Sequence, residues 1–287
     1  MKPTIAFFGL GAMGEPMATN LLHAGYTVYS AIHQSRVAAD RLIPFGLSLF
    51  ETPIKAAELA DIVITILPGD PEIKEFLLNN AFASALKKGC VVIDMSSATS
   101  DSIREIEQFY RSRGIAVLDA PVSGGVTGAE KGSLTIFGSG EEAAFNAVRP
   151  VLMTMGKEIY YLGACGTGKA FKNLNNLLSI GNTVLLSEAF RIAQKEGLDT
   201  GLLYDVINTS SGTSASFRAR WPRMEKAAFQ GGFQLGLARK DVGNALRLGE
   251  GLSLPLSSLV YQILADCGAY DKEDMAAVVK NAFSLED

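Results

Sequence analysis

Near the amino terminus, residues 4–8 form a short apolar run that stops at Gly9, Gly11 and Gly14. Beyond it Met13, Met17, Asn20, Leu21 and Ala24 recur at helical spacing as far as Gly25. A strand, a glycine turn and a helix in that order are the context a G-x-G-x-x-G pattern requires, and without it the pattern carries little. Bare glycines let backbone N–H groups approach a pyrophosphate, and the start of the helix favours its charge. Gly9, Leu10, Gly11, Ala12, Met13 and Gly14 are therefore candidate dinucleotide-binding residues; the plainer reading is a glycine-rich turn with no ligand.

The alternation continues. Strands are expected at 27–31, 61–67, 90–94, 115–120, 133–137 and 158–162, and helices at 35–43, 53–60, 71–78, 99–113 and 141–155. Apolar strands such as 62–67 and 91–93 imply a sheet covered on both faces. Residues 1–163 thus read as an α/β, doubly wound Rossmann-type domain. After Gly163 no convincing strand remains. Residues 164–287 read as an all-α domain joined by a long helix reaching Glu196, followed by helices at 200–208, 214–229, 237–248, 256–265 and 271–283. The long helix is apolar nearly all round, which implies burial by several partners, a second subunit among them. No flexible linker marks the boundary, so a rigid pair of domains with a cleft between them is expected.

Composition narrows the function. With 287 residues, 48% hydrophobic and 20% charged, the chain has the balance of a soluble globular protein. Its net charge of -4 is interspersed, without the basic block of a nucleic-acid surface, so the partners are expected to be small molecules. Residues 5–10 are too short for a signal peptide's apolar region, and no apolar run is long enough to span a bilayer, which makes the expected location cytoplasmic. Cys90, Cys165 and Cys267 suggest neither a disulfide framework nor a thiolate metal site. Only His23 and His33 are histidines, so acid–base chemistry falls to Lys, Asp, Glu, Tyr or Cys.

Two further stretches bear on ligands. The second strand of a dinucleotide fold normally ends in a carboxylate that binds the ribose of NAD. Here it ends in Ile32, with His33, Ser35 and Arg36 following, which together have the chemistry to hold the extra phosphate of NADP. NADP is favoured and NAD remains open; His33 and Arg36 also suit a solvated helix start. Leu67, Pro68, Ser96 and Ser97 fall at the carboxyl edge of the sheet, where ligands sit, or are ordinary turn residues. In the segment GTGKAFKNLNN from Gly166, Lys172 and Asn176 are four apart on one helix face. A lysine near a helix start meets the positive end of the dipole, which makes it a poor stabiliser and a good proton donor. The other reading is a lysine reaching past the helix face to water, with asparagines capping a loop.

Four segments in order, GLGAMGEPMATNLL at Gly9, DAPVSGG at Asp119, GTGKAFKNLNN at Gly166 and ARKDVGNAL at Ala238, together resemble the β-hydroxyacid dehydrogenase family over nearly the whole chain. The resemblance implies hydride transfer between a nicotinamide and a short 3-hydroxy acid or its semialdehyde. In that scheme Lys172 is the general acid and base, and Asn176 orients the lysine or the substrate. Ser123, Gly124 and Gly125 hold a substrate carboxylate, and Lys240 lies near the nicotinamide end. A homodimer or homotetramer through the helical domain is expected. Imine reductases share the architecture but usually carry another residue at the position of Lys172; a non-catalytic NADP-binding sensor or scaffold is the third reading.

Overall fold

The computed structural model describes residues 2–32 and 35–280. The chain divides after Lys172 into two compact units.

In the first unit, β1 (Ile5–Phe8), β2 (Val28–Ala31), β3 (Ser48–Phe50), β4 (Ile62–Thr65), β5 (Val91–Asp94) and β6 (Ala116–Asp119) run parallel in the spatial order β3-β2-β1-β4-β5-β6. Next to β6 the sheet continues as β8 (Leu134–Gly140), antiparallel to both β6 and β7 (Val122–Ser123), with β9 (Gly156–Tyr161) parallel to β8. The order reverses between β1 and β4, which makes their carboxyl ends the crevice where such sheets take ligands.

The pleat explains the two cores. Ile5, Phe7, Ile62, Ile64, Ile93 and Leu118 point to one face, against Met17, Ala18 and Leu21 of α1 (Gly14–His23), with Phe145 and Val148 of α8 (Glu142–Leu152) in the same core. Their neighbours Ala6, Phe8, Val63, Val92 and Val117 point to the other face. That core holds Ala56 of α3 (Pro53–Ala57), Ile73 of α4 (Asp70–Leu77), Phe82 of α5 (Asn80–Ala85) and Ile103 of α6 (Ser100–Arg111). Alternate burial on both faces is what apolar parallel strands require. Short α2 (Val37–Leu42) and α7 (Gly125–Glu130) complete the unit.

Several elements differ from the sequence expectation. β3 was not anticipated because three residues carry no period-2 signal, and α5 because NAFASA has no apolar stripe, although the Asn79 side chain caps it by accepting from the N–H of Phe82. β7 and α7 lie in a glycine-rich stretch that reads as a turn. The strand expected at 133–137 runs on to Gly140 because Ser139 and Gly140 pair with β6. The helix expected over 271–283 is a set of 3-10 turns at Gly268–Tyr270 and Met275–Lys280, and its last three residues lie outside the described ones.

The long helix α9 (Thr167–Lys195) spans 29 residues, and the unit boundary falls within it. The second unit adds α10 (Thr200–Asn208), α11 (Ala215–Glu225), α12 (Leu235–Leu248) and α13 (Pro255–Asp266). Its core joins Ile180, Val184 and Phe190 of α9 with Phe217, Trp221, Met224 and Val242. Of the apolar residues of α9 expected to be buried by several partners, Leu178, Leu185 and Ile192 are 70%, 66% and 61% exposed in the single chain. They recur every seven residues and so form one stripe, turned away from the apolar face that builds the core. Among the described residues, no helix is long and apolar enough to cross a membrane.

Candidate active site

The turn after β1 is built so that only glycine fits at its ends. Gly9 has φ 101°, and a Cβ there would lie 2.1 Å from the Ile66 carbonyl oxygen; at Gly14 it would lie 1.9 Å from the Gly9 carbonyl oxygen. Between them, a Cβ on exposed Gly11 would meet nothing within 4 Å. The turn is thus pressed against β4 and folded onto α1, leaving a hollow open to a ligand at Gly11 and at the head of a ten-residue helix. A pyrophosphate fits that cradle, with Leu10, Ala12 and Met13 supplying further backbone. Glu15 in the first turn of α1 would repel it, but Arg41 takes both carboxylate oxygens at 2.6 Å.

At the end of β2 the residues foreseen for the ribose phosphate are only partly assembled. Ile32 is exposed, where a carboxylate would have been. Arg36 pairs with Asp40 of its own helix at 2.7 Å, and the Ser35 hydroxyl accepts from the N–H of Val37. Both partners of that ion pair are more than half exposed, so the pair holds Arg36 weakly. His33 lies outside the described residues. The N–H of Leu67 donates to the Ser96 hydroxyl at 2.8 Å, joining the loop of Leu67 and Pro68 to the one that contains Ser97.

Neighbouring strands β5 and β6 end in Asp94 and Asp119, which stand opposite each other in register and are both fully buried. Asp119 holds the start of α9: one oxygen accepts from the N–H of Gly166 at 2.9 Å and from the Ser139 hydroxyl, the other from the N–H of Lys169 at 2.9 Å. The Ser139 hydroxyl in turn accepts from the N–H of Gly168 at 3.0 Å. Three orphan donors of the first turn are thereby satisfied without water. Gly168 permits the approach, since a Cβ there would lie 2.2 Å from the Phe137 carbonyl oxygen. Sequence reasoning passed over Asp119 except as the first letter of its motif, because the helix start it holds lies 47 residues further along the chain.

Lys172, one turn further along α9, is 7% exposed, as is Asn176. Within the helical unit, the Asn176 amide donates to Asp241 of α12 at 2.6 Å, and Lys240 lies 3.3 Å from the other oxygen of the same carboxylate. Asp241 is 1% exposed, so its charge is stabilised by these two groups. It was foreseen only as the neighbour of Lys240, because a carboxylate on a helix reads as surface until its partner is known. In the first unit Ser123 is half-buried in β7, and Gly124 and Gly125 follow at φ 131° and 63°. Both φ values lie in the range that glycine tolerates and other residues rarely adopt.

Other candidates for acid–base work recede. Burial, aided by Asp61, pushes the Cys90 thiol up to about 12. Burial likewise raises Cys165 and Tyr110, so all three are neutral near pH 7. Among the described residues, no group of three His, Cys, Asp or Glu side chains could hold a metal ion.

Comparison with known proteins gives the family. The model of the NAD binding domain of 6-phosphogluconate dehydrogenase matches residues 4–163, and that of the NAD-binding region of NADP-dependent 3-hydroxyisobutyrate dehydrogenase matches residues 166–282. The chain is 40% identical to the 2-(hydroxymethyl)glutarate dehydrogenase of Eubacterium barkeri, covering 96% of this chain and 93% of that protein. It is 32% identical to the 2-hydroxy-3-oxopropionate reductase of Escherichia coli, covering 92% of each. The solved Mycobacterium tuberculosis 3-hydroxyisobutyrate dehydrogenase with L-serine superposes with a TM-score of 0.86 at 33% identity, covering 98% of this chain and 99% of that one. An imine reductase from Myxococcus stipitatus, at 20% identity, TM-score 0.69 and 97% and 99% coverage, shares the fold alone. A chain with this glycine cradle, this order of motifs and relatives matched end to end belongs to the β-hydroxyacid dehydrogenase family of NAD(P)-binding oxidoreductases.

Proposed function

We propose that the protein interconverts a short 3-hydroxy acid and its semialdehyde, with Lys172 as the group that gives and takes the proton. Hydride exchange at the carbon bearing the oxygen is the chemistry a bound nicotinamide supplies. In the reductive direction the Lys172 ammonium passes a proton to the carbonyl oxygen as it becomes a hydroxyl, and water then reprotonates the amine. In the oxidative direction the neutral amine takes the hydroxyl proton. Asn176 is assigned to orienting the lysine or the substrate, and its bond to Asp241 leaves it one preferred direction. Ser123 and the N–H groups of Gly124 and Gly125 are assigned to the substrate carboxylate, and Lys240 to the nicotinamide end. Gly9 to Gly14, Leu67, Pro68 and Ser97 are assigned to the rest of the cofactor.

The observation that carries this reading is a lysine only 7% exposed, one helical turn before an asparagine tied to a buried aspartate. An amine kept that far from water needs a reason, and proton transfer is one. A lysine at this position also favours a hydroxy acid over an imine. Ile32 in place of a carboxylate supports NADP over NAD. The exposed stripe of Leu178, Leu185 and Ile192 supports a homodimer or homotetramer formed through the helical unit. Free thiols at Cys90, Cys165 and Cys267, the first and last of them buried, suit a cytoplasmic setting.

The test is a panel of short semialdehydes and 3-hydroxy acids, each run with both nicotinamides, on the wild type and Lys172→Ala. General acid–base catalysis contributes about a hundredfold to ten-thousandfold, so the variant should lose that much in kcat while binding NADPH as before. Weakened NADPH binding with undiminished turnover would refute the assignment. Turnover of cyclic imines but of no carboxylated aldehyde would transfer the protein to the imine reductases.

A further inference from the structure

A second lysine on the same helix, Lys169, is buried more deeply than Lys172: it is 0% exposed. Its ammonium makes three contacts, with Asp94 Oδ2 at 2.5 Å, the Ser96 carbonyl at 2.7 Å and the Asp94 carbonyl at 3.1 Å. All three N–H donors are used, so this amine has no proton to offer a substrate. The rest of the network is as dry. Asp94 Oδ1 accepts from the Thr65 hydroxyl at 2.7 Å and from the Ser96 hydroxyl at 2.6 Å, and the Ser96 hydroxyl accepts from the N–H of Leu67 at 2.8 Å. Thr65 and Asp94 are fully buried and Ser96 is 1% exposed.

A buried ion pair is a poor way to gain stability, because desolvating two charges can offset their attraction, and an uncharged replacement is often neutral. The start of α9 also has its own anchor, since Asp119 and Ser139 already take the N–H groups of Gly166, Gly168 and Lys169. The Lys169 side chain adds something the backbone clamp lacks. It ties that turn to the end of β5 and, through Asp94 and Ser96, to the loop at Leu67.

We propose that Lys169 is a positioning residue: through the Asp94–Ser96 network it locks the turn that presents Lys172 to the two loops assigned to the cofactor, so that proton donor and nucleotide edge keep one spacing. This rests on the role given to Lys172 above. A misplacement of about 1 Å costs about a hundredfold in a well-aligned site, which is why a rigid link between these parts matters.

The test separates positioning from folding. Lys169→Met alone strands the Asp94 charge and should lower Tm sharply, whereas Lys169→Met with Asp94→Asn removes both charges and should restore most of it. In the double variant we expect kcat for the best semialdehyde to stay about tenfold to a hundredfold below wild type, with KM for NADPH raised. Recovery of kcat and KM together with Tm would overturn the proposal, leaving the pair a fold anchor. Ser96→Ala leaves the ion pair in place and cuts the link to Leu67, together with one of the two hydroxyl donors to Asp94 Oδ1. It should weaken NADPH binding, measured by fluorescence titration, while lowering Tm less than Lys169→Met alone does. Wild-type NADPH affinity in Ser96→Ala would overturn the link to the loop even if the double variant failed to fold. If the wild type reduced no semialdehyde, the role of Lys172 would fail separately, while the Ser96→Ala titration would still report on the link.

Discussion

Gly11→Ala should make the empty protein slightly more stable and the cofactor much weaker, and the opposed signs make it a sharp test of the cradle. Gly11 is not among the residues with left-handed φ, and a Cβ there meets nothing within 4 Å, so alanine enters without strain. Its effect on the free protein then comes from the unfolded chain, which loses conformational freedom; such replacements stabilise by about 0.4–1 kcal/mol. For a chain of this size that is a rise in Tm of about 1–3 °C. When the cofactor binds, the same methyl occupies the hollow assigned to the pyrophosphate. Overpacking of a fitted site costs about 1–3 kcal/mol, which weakens Kd about fivefold to a hundredfold. Gly14→Ala is the control, since its Cβ would lie 1.9 Å from the Gly9 carbonyl oxygen and must displace backbone, so it should lower Tm in the empty protein. Calorimetry without cofactor and NADPH fluorescence titration read the two effects. A lowered Tm in Gly11→Ala would show that the turn is not as described, and an unchanged Kd would show that no pyrophosphate lies there.

Arg36→Ala should raise KM for NADPH more than for NADH in steady-state assays, because its pairing with Asp40 is exposed and readily given up to a phosphate; equal effects would remove the phosphate contact. The Cys90 thiol, pushed up to about 12 mainly by burial, stays protonated in the folded state at pH values where an unfolded cysteine ionises. Its contribution is therefore complete below about pH 8.5 and is lost as pH rises towards the folded value, at about 1.4 kcal/mol per pH unit. Urea melts at pH 8 and 10.5 should show wild type losing more stability than Cys90→Ala, and parallel losses would refute the shift. Leu185→Glu places a charge in the exposed stripe of α9 and should lower the mass seen by light scattering after size-exclusion chromatography. A wild type that already runs as a monomer would dismiss the interface.

The nucleotide half was legible because local chemistry dictates it. Strands such as β4 and β5 are apolar on both faces only if both are covered, and the turn at Gly9 works only with glycines at its ends. Helices α10, α12 and α13 were placed to within two residues at each end, since amphipathic spacing and caps are properties of a short window. β3, α5 and β7 were missed because elements of three, six and two residues carry too little pattern to stand out; they exist through the neighbours that pair with or pack on them.

The site divides along the same line. That Lys172 and Asn176 share a helix face was legible because four residues along a helix is a local relation that needs no knowledge of the fold. Lys169 and Lys172, in contrast, look alike in the chain, being two lysines three residues apart in a single helix. What separates them is a partner 75 positions away: Asp94 takes up the Lys169 ammonium, which commits all three of its N–H donors. Asp119 and Asp241 acquire their roles in the same way, one from a helix start brought to the end of its strand and the other from an asparagine 65 positions back. Periodicity and turn chemistry act over a few residues and so can be read from order alone. The partner of a buried charge is chosen by how strands and helices stack, because in a low-dielectric interior that partner decides whether the charge is held, and only the folded chain supplies it.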